Sequence, residues 1–333
     1  MGNGNTLRWG VVGTGGIARR MAPTILQAEG ALLAAVSSRS LDTATAFADE
    51  HAIDHRFDSW QEMCRFNGVD AIYVATPTIA REVICVAAVQ AGKHVLAEKP
   101  FASLPSLRRI TAACRAEGVG FMDATHFVHH PRTTQMREDM EERIGRPRSV
   151  ASAFQFGMSD SDNIRLNPDL EPYGAIGDAG WYNMRAAVES LPPDLQLVAA
   201  ETRARRAGPR RAVVAASGVL QFDDGSTSTW DCGFESGAVI MDLRISGPAG
   251  AYKVDDFVLS ANDPAVYDHI VGSGATGVTR HEVSAGTPQA VLMFEEFASM
   301  AGDRDLVEAS IRASERTQEW LDAAWQSALA SDS

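Results

Sequence analysis

Three groups of residues in this sequence have the types and spacing that carbonyl chemistry requires. Lys99 stands in Ala97-Glu98-Lys99-Pro100, where proline removes a backbone donor and stiffens the chain after the ammonium. Asp178 and Tyr182 are four apart in a stretch with helical patterning, so both project from one face and can share a site. Reduction of a carbonyl by hydride also needs a proton. A phenol, with an ordinary pKa of about 10, becomes a useful acid or base when a nearby ammonium favours its phenolate. Lys99 is the candidate for that charge, which makes Lys99, Tyr182 and Asp178 the candidate catalytic set. The plainer alternatives are a surface lysine at a strand end, a packed helix tyrosine and a charge at a helix start.

The third group is Gly13-Thr14-Gly15-Gly16-Ile17-Ala18, which fits G-x-G-x-x-G/A between an apolar run and a helical stretch. Gly13 permits the tight turn, Gly15 lets backbone approach a pyrophosphate, and Ala18 lets the helix sit close to the strand. The next apolar run ends in Val36-Ser37-Ser38-Arg39-Ser40, with no acid to take a ribose 2'-hydroxyl. Ser37, Ser38 and Arg39 suit a 2'-phosphate instead, because a guanidinium is a forked, permanently charged donor. The expected cofactor is therefore NADP(H) rather than NAD(H). Its expected contacts are Gly13, Thr14, Gly15, Gly16, Ile17, Ser37, Ser38 and Arg39. Ala75, Thr76 and Pro77 join them, as do Glu98, Lys99 and Pro100, from the carboxyl ends of two further apolar runs.

These groups need elements to hold them. From Leu7 to about Thr125, short apolar runs (Leu7 to Val12, Leu32 to Val36, Ala71 to Ala75, His94 to Ala97, Val119 to Met122) alternate with helical stretches, the signature of a parallel sheet with crossover helices. A polar helix from Thr133 to Arg143 ends at Gly145-Arg146-Pro147. Strands of an antiparallel sheet then dominate to about Leu259. Val213 to Phe222 and Ser226 to Phe234 flank the turn Asp223-Asp224-Gly225, and Ala238 to Ile245 and Tyr252 to Leu259 flank Ser246-Gly247-Pro248-Ala249-Gly250. Two helices close the chain, Pro288 to Met300 and Asp305 to Leu329. The fold class is α/β, with a doubly wound Rossmann domain over 1–125 and an α+β domain with a large open, mainly antiparallel sheet over 126–333. The final helices have the option of packing back towards the first domain.

A length of 333 residues suits two domains. A net charge of -13 argues against nucleic acid or an anionic membrane surface as partner, and no apolar run reaches a membrane span. Cys64, Cys85, Cys114 and Cys232 form no C-x-x-C pair, so neither a zinc knot nor a disulfide framework is expected, and a reducing, cytoplasmic setting suffices. Met1 to Thr6 matches the letters of a myristoylation pattern, but a short Asn/Gly leader is the expected reading. Three histidines in His126-Phe127-Val128-His129-His130-Pro131-Arg132 invite a metal, yet no partner cluster lies at metal spacing, so none is expected. Asn163 and Arg165 precede the Asp178 stretch and suit hydroxyls or phosphate of a ligand, while His281 and Trp230 read as structural. Trp230 and Phe234 are expected on a sheet face that local helices leave uncovered. None of the five tyrosines has a lysine four residues later, which removes the short-chain dehydrogenases.

The chain resembles the Gfo/Idh/MocA family on four segments: Gly13 to Ala18, Glu98-Lys99-Pro100, Gly174 to Tyr182, and Ser246 to Gly250 with its following strand. Within that family Tyr182 stands where inositol dehydrogenases have histidine. This matches the branch of glucose-fructose oxidoreductase, dimeric dihydrodiol dehydrogenase, xylose dehydrogenases and keto-sugar reductases. The resemblance implies that Lys99 binds the reacting oxygen and tunes Tyr182, that Tyr182 exchanges the proton, and that Asp178 positions substrate or lysine. It also implies that His126 or His129 borders the substrate crevice. With Arg165, Asp178 and Tyr182 they form the expected substrate set. The implied substrate is a sugar or keto sugar, free or nucleotide-linked, in a homodimer or homotetramer. A trans-dihydrodiol dehydrogenase and an NADP-sensing regulator without turnover are the two alternatives.

Overall fold

The computed structural model describes residues 6–259, 262–272 and 277–331; the first five residues of the lipidation-like leader lie outside them. The chain divides into two units, 1–126 with 287–315 and 127–286 with 316–333. In the first, six strands, β1 (Leu7–Val12), β2 (Ala31–Ser37), β3 (His55–Phe57), β4 (Ala71–Val74), β5 (His94–Ala97) and β6 (Phe121–Asp123), form one parallel sheet in the order β3-β2-β1-β4-β5-β6. Between them run α1 (Gly16–Gln27), α2 (Leu41–His51), α3 (Trp60–Arg65), α4 (Thr78–Gln90) and α5 (Leu104–Glu117). The order reverses between β1 and β4, the place where such sheets receive a ligand. β4 is buried at every position, which explains why it reads as an unbroken apolar run. β3 escapes a reading by apolar runs because His55 and Arg56 are exposed.

The second unit starts with α6 (Pro131–Ile144) and β7 (Ser149–Gly157), followed by α7 (Ala175–Asp178) and α8 (Gly180–Ser190). Then come β8 (Leu197–Ala207), β9 (Ala212–Phe222), β10 (Thr227–Gly233), β11 (Glu235–Gly247), β12 (Gly250–Val254), β13 (Ala265–Ile270) and β14 (Val278–Val283). They form one sheet, β14-β13-β12-β11-β7-β10-β9-β8, in which β7 and β10 are parallel and the other pairs antiparallel. The first expected hairpin forms as read, with Thr227 opposite Gln221. The second is tighter than expected: Gly247 faces Gly250 and the returning strand stops at Val254. β13 and β14 lie beyond the sequence-read strands.

One expectation is corrected. Trp230 and Phe234 are 3% and 2% exposed. Trp230 shares a sheet face with Cys232, whose Sγ lies 3.4 Å from where a Cβ on Gly180 of α8 would stand. Phe234 meets Phe156, itself against Phe154 and through it Tyr182 of α8. Both rings are on the helix-covered face because strand alternation groups them with Ser228 and Phe154, and burial of large aromatics decides the side.

α9 (Gln289–Met300) belongs to the first unit, where Phe294 meets Trp9 edge-on at 5.1 Å and Tyr73 at 5.7 Å. α10 (Arg304–Ser331) contributes 304–315 to the first unit and its remainder to the second.

Candidate active site

The β1–α1 turn has the shape a pyrophosphate needs. Gly13 has φ +108°, and a Cβ there would stand 2.7 Å from the Ala75 carbonyl oxygen, so only glycine fits. Added Cβ atoms at Gly15 and Gly16 would meet nothing within 4 Å, so their smallness leaves open space rather than filling a packing need. α1 begins without a side-chain cap and without an acid in its first turn, leaving its first N–H groups and the positive end of its dipole for an anion. Ala18 is fully buried. Thr76 Oγ1, just past β4, is buried with no hydrogen-bond partner among the described residues, as expected of a group awaiting a ligand. These features fit a dinucleotide.

After β2 the chain builds a hydroxyl relay. Thr14 Oγ1 lies 3.0 Å from Ser38 Oγ, Thr43 Oγ1 donates to Ser38 Oγ at 2.7 Å, and Ser40 caps α2 by accepting from Thr43 N–H. Arg39 is exposed and forms no ion pair among the described residues, which leaves its fork available. Ser37 is turned inward at 1% exposure, and its carbonyl accepts the Gly13 N–H at 2.9 Å. Thr43 is a member that sequence reasoning missed, since a threonine inside a helical stretch carries no distinguishing spacing.

Beyond β5 the Glu98-Lys99-Pro100 segment is buried, with Lys99 8% exposed. Tyr73 donates to Glu98 Oε1 at 2.6 Å, and Glu98 N–H donates to the Val74 carbonyl. Arg81 of α4, also missed, donates to the Thr76 carbonyl, to Thr78 Oγ1 and to the Pro100 carbonyl. Asp123 at the end of β6 accepts from Thr125 and from Ser314 of α10. His126 is buried in the same unit, its Nδ1 2.7 Å from Gln289 Nε2.

In the second unit, Gly174 has φ +53°, and a Cβ there would stand 2.4 Å from the Val213 carbonyl oxygen. This close approach sets the start of α7. Asp178 ends α7, Ala179 stays helical at φ −86°, ψ −41°, and Tyr182 follows in α8, so the four-residue spacing spans a joint between two helices. Asp178 Oδ2 pairs with Arg165 Nε at 2.7 Å, which brings two of the expected substrate residues together. Asn163 caps the short turn Ile164–Leu166 that carries Arg165. Tyr182 is 7% exposed, with Phe154 edge-on at 5.4 Å and Phe127 at 6.2 Å. Its neighbour Asn183 is fully buried and donates to Ser152 Oγ at 2.9 Å. His129 closes the turn His126–His129 and is half-buried. Among the described residues no three His, Cys, Asp or Glu side chains are grouped to hold a metal ion, and no helix is long and apolar enough to cross a membrane.

Residues 7–125 match the oxidoreductase family with an NAD-binding Rossmann fold, and residues 135–253 match the GFO/IDH/MocA C-terminal domain. A D-xylose 1-dehydrogenase (NADP(+)) of Haloferax volcanii is 32% identical over 69% of this chain and 70% of its own. The chain belongs to the Gfo/Idh/MocA oxidoreductase family. Another member, the dTDP-3,4-didehydro-2,6-dideoxy-alpha-D-glucose 3-reductase of Actinomadura kijaniata, is 34% identical over 70% of each chain. The crystal structure of KijD10, a 3-ketoreductase from Actinomadura kijaniata in complex with NADP and TDP-benzene, superposes with a TM-score of 0.84 at 28% identity. It covers 97% of this chain and 98% of that one. The six-stranded parallel sheet is thus the Gfo/Idh/MocA nucleotide-binding domain, and the protein is an oxidoreductase.

Proposed function

We propose that the protein is an NADP(H)-dependent sugar or keto-sugar oxidoreductase in which Lys99 and Tyr182 act on one substrate oxygen. The observation that carries this reading is the burial of Lys99 at the carboxyl end of β5, on the sheet edge that also carries the Gly13 turn and the Thr76 loop. Xylose and keto-sugar activities among its relatives, and NADP in the names or structures of several, support it.

The cofactor would be held by the α1 N-terminus, Thr76 and the Thr14–Ser38–Thr43 hydroxyls, with Arg39 on the 2'-phosphate. Its nicotinamide supplies a hydride in reduction and accepts one in oxidation. As the carbonyl electron pair moves onto oxygen, the Lys99 ammonium stabilises the growing negative charge and the Tyr182 hydroxyl delivers the proton. In oxidation Tyr182 takes the proton back as phenolate, a form the ammonium favours. Asp178, held by Arg165, orients the sugar hydroxyls, and His126 and His129 border the substrate.

The uncovered sheet face, on which Ala151, Thr229 and Arg244 are exposed, is read as a self-association surface of a homodimer or homotetramer. Four buried free cysteines fit a cytoplasmic setting. The test of function is NADPH and NADH turnover against free sugars, nucleotide-linked keto sugars and trans-dihydrodiols. Nucleotide-linked or free keto sugars reduced with NADPH are expected. Dihydrodiol oxidation alone, or nucleotide binding without any turnover, overturns the reading.

A further inference from the structure

We infer that Arg81 is a positioning residue that fixes Lys99 by joining the loops after β4 and β5; this rests on Lys99 acting at the reacting oxygen. Arg81 lies in the first turns of α4 and is 5% exposed. Its Nε donates to the Thr76 carbonyl at 3.0 Å and its Nη1 to Thr78 Oγ1 at 2.8 Å. Nη1 also donates to the carbonyl of Pro100, the residue immediately after Lys99. Because β4 and β5 are adjacent, with Val74 opposite Ala97, the two loops leave the sheet side by side, and one planar group reaches both.

On the other side of Lys99, Glu98 is tied by its N–H to the Val74 carbonyl and by its carboxylate to the Tyr73 hydroxyl. Lys99 therefore sits between two tethers. The Arg81 tether is rigid because a guanidinium has its donors in a fixed plane; a lysine ammonium is a single flexible point and cannot hold two carbonyls at a set separation. The same group fixes the Thr76 carbonyl, so it couples the position of the ammonium to a loop assigned to the cofactor. Loss of the tether lets the ammonium wander from the reacting oxygen, and small misplacements of reacting groups are costly.

The experiment compares Arg81→Gln, Arg81→Lys and Lys99→Ala with the parent enzyme, measuring kcat, KM and the pH dependence of kcat in the oxidation direction. Arg81→Gln is expected to lower kcat about 10- to 100-fold with little change in sugar KM. The limb that reports the phenolate should move to higher pH, because the ammonium is no longer held where it favours that form. A purely structural role would lower the amount of active enzyme and leave the limb in place. Arg81→Lys is expected to recover less than half of the lost kcat; it carries the test alone if the glutamine variant does not fold. An unmoved limb and parental kcat in the folded variants, with Lys99→Ala inactive, overturn the inference and leave the catalytic reading intact. An active Lys99→Ala overturns both.

Discussion

Phe154 and Phe127 pack against the ring of Tyr182, so the ring is held by packing and its hydroxyl is the separable part. Tyr182→Phe is accordingly expected to keep the melting temperature and lose turnover by about 10²- to 10⁴-fold, read by steady-state kinetics beside a thermal melt. Arg39→Ala removes an exposed fork that nothing in the fold requires. The expected result is at least a tenfold rise in KM for NADPH with that for NADH nearly unchanged; equal effects on both would contradict a role at the 2'-phosphate. Gly13, Lys99 and Tyr182 could be nominated from the sequence because the proposed chemistry asks for a particular residue type at a particular spacing. Arg81 and Thr43 could not, since their work is to satisfy backbone carbonyls or hydroxyls that become neighbours only after folding. The Arg165–Asp178 ion pair lay between these cases, as both members were nominated from sequence but their pairing depends on how the loop returns to α7.

Elements with their own period or punctuation were readable in advance. In the structure Ser40 caps α2 and Ser103 caps α5, each a serine whose hydroxyl accepts an N–H of the first turn, and Gly118 follows α5 in the left-handed region. Sidedness was harder to read: Trp230 and Phe234 alternate correctly along β10 and its extension, but which face the helices cover is a tertiary fact. The β1–α1 turn offers a test at this scale. Gly13→Ala forces a Cβ against the Ala75 carbonyl at a positive φ, so loss of stability of about 1–3 kcal/mol and of NADPH binding should appear together, by denaturant unfolding and by fluorescence titration. Gly16→Ala, whose Cβ would enter open space, is the control, expected to remain folded.

At the scale of the whole molecule, acid sensitivity follows from partly and fully buried imidazoles. Burial holds His94 and His130 below the ordinary histidine value, and each accepts an N–H through Nδ1, from Gly120 at 2.8 Å and from Arg132 at 3.0 Å. His281 is lowered by burial and by Arg143 and His269. The unfolded chain binds these protons more readily, so their contribution to stability is complete above about pH 6.5 and is lost as the pH falls through that value towards the folded ones. Melting temperature should fall between pH 7.5 and 5.5, less so in His94→Asn, and a flat profile would refute this. The uncovered sheet face gives a second test: Ala151→Glu, at an exposed position opposite Arg244 and Thr229, should shift a light-scattering mass towards the monomer without unfolding the chain.

The parallel partnership of β7 with β10 also orders events on the ribosome. β7 ends at Gly157, yet its two neighbours begin only at Thr227 and Glu235. At ordinary elongation rates the strand waits roughly 4 to 15 seconds for its first neighbour. Through that interval Val150, Phe154 and Phe156 belong to a nascent apolar strand with no ladder to join, the kind of exposed edge that is prone to aggregation until its neighbours arrive.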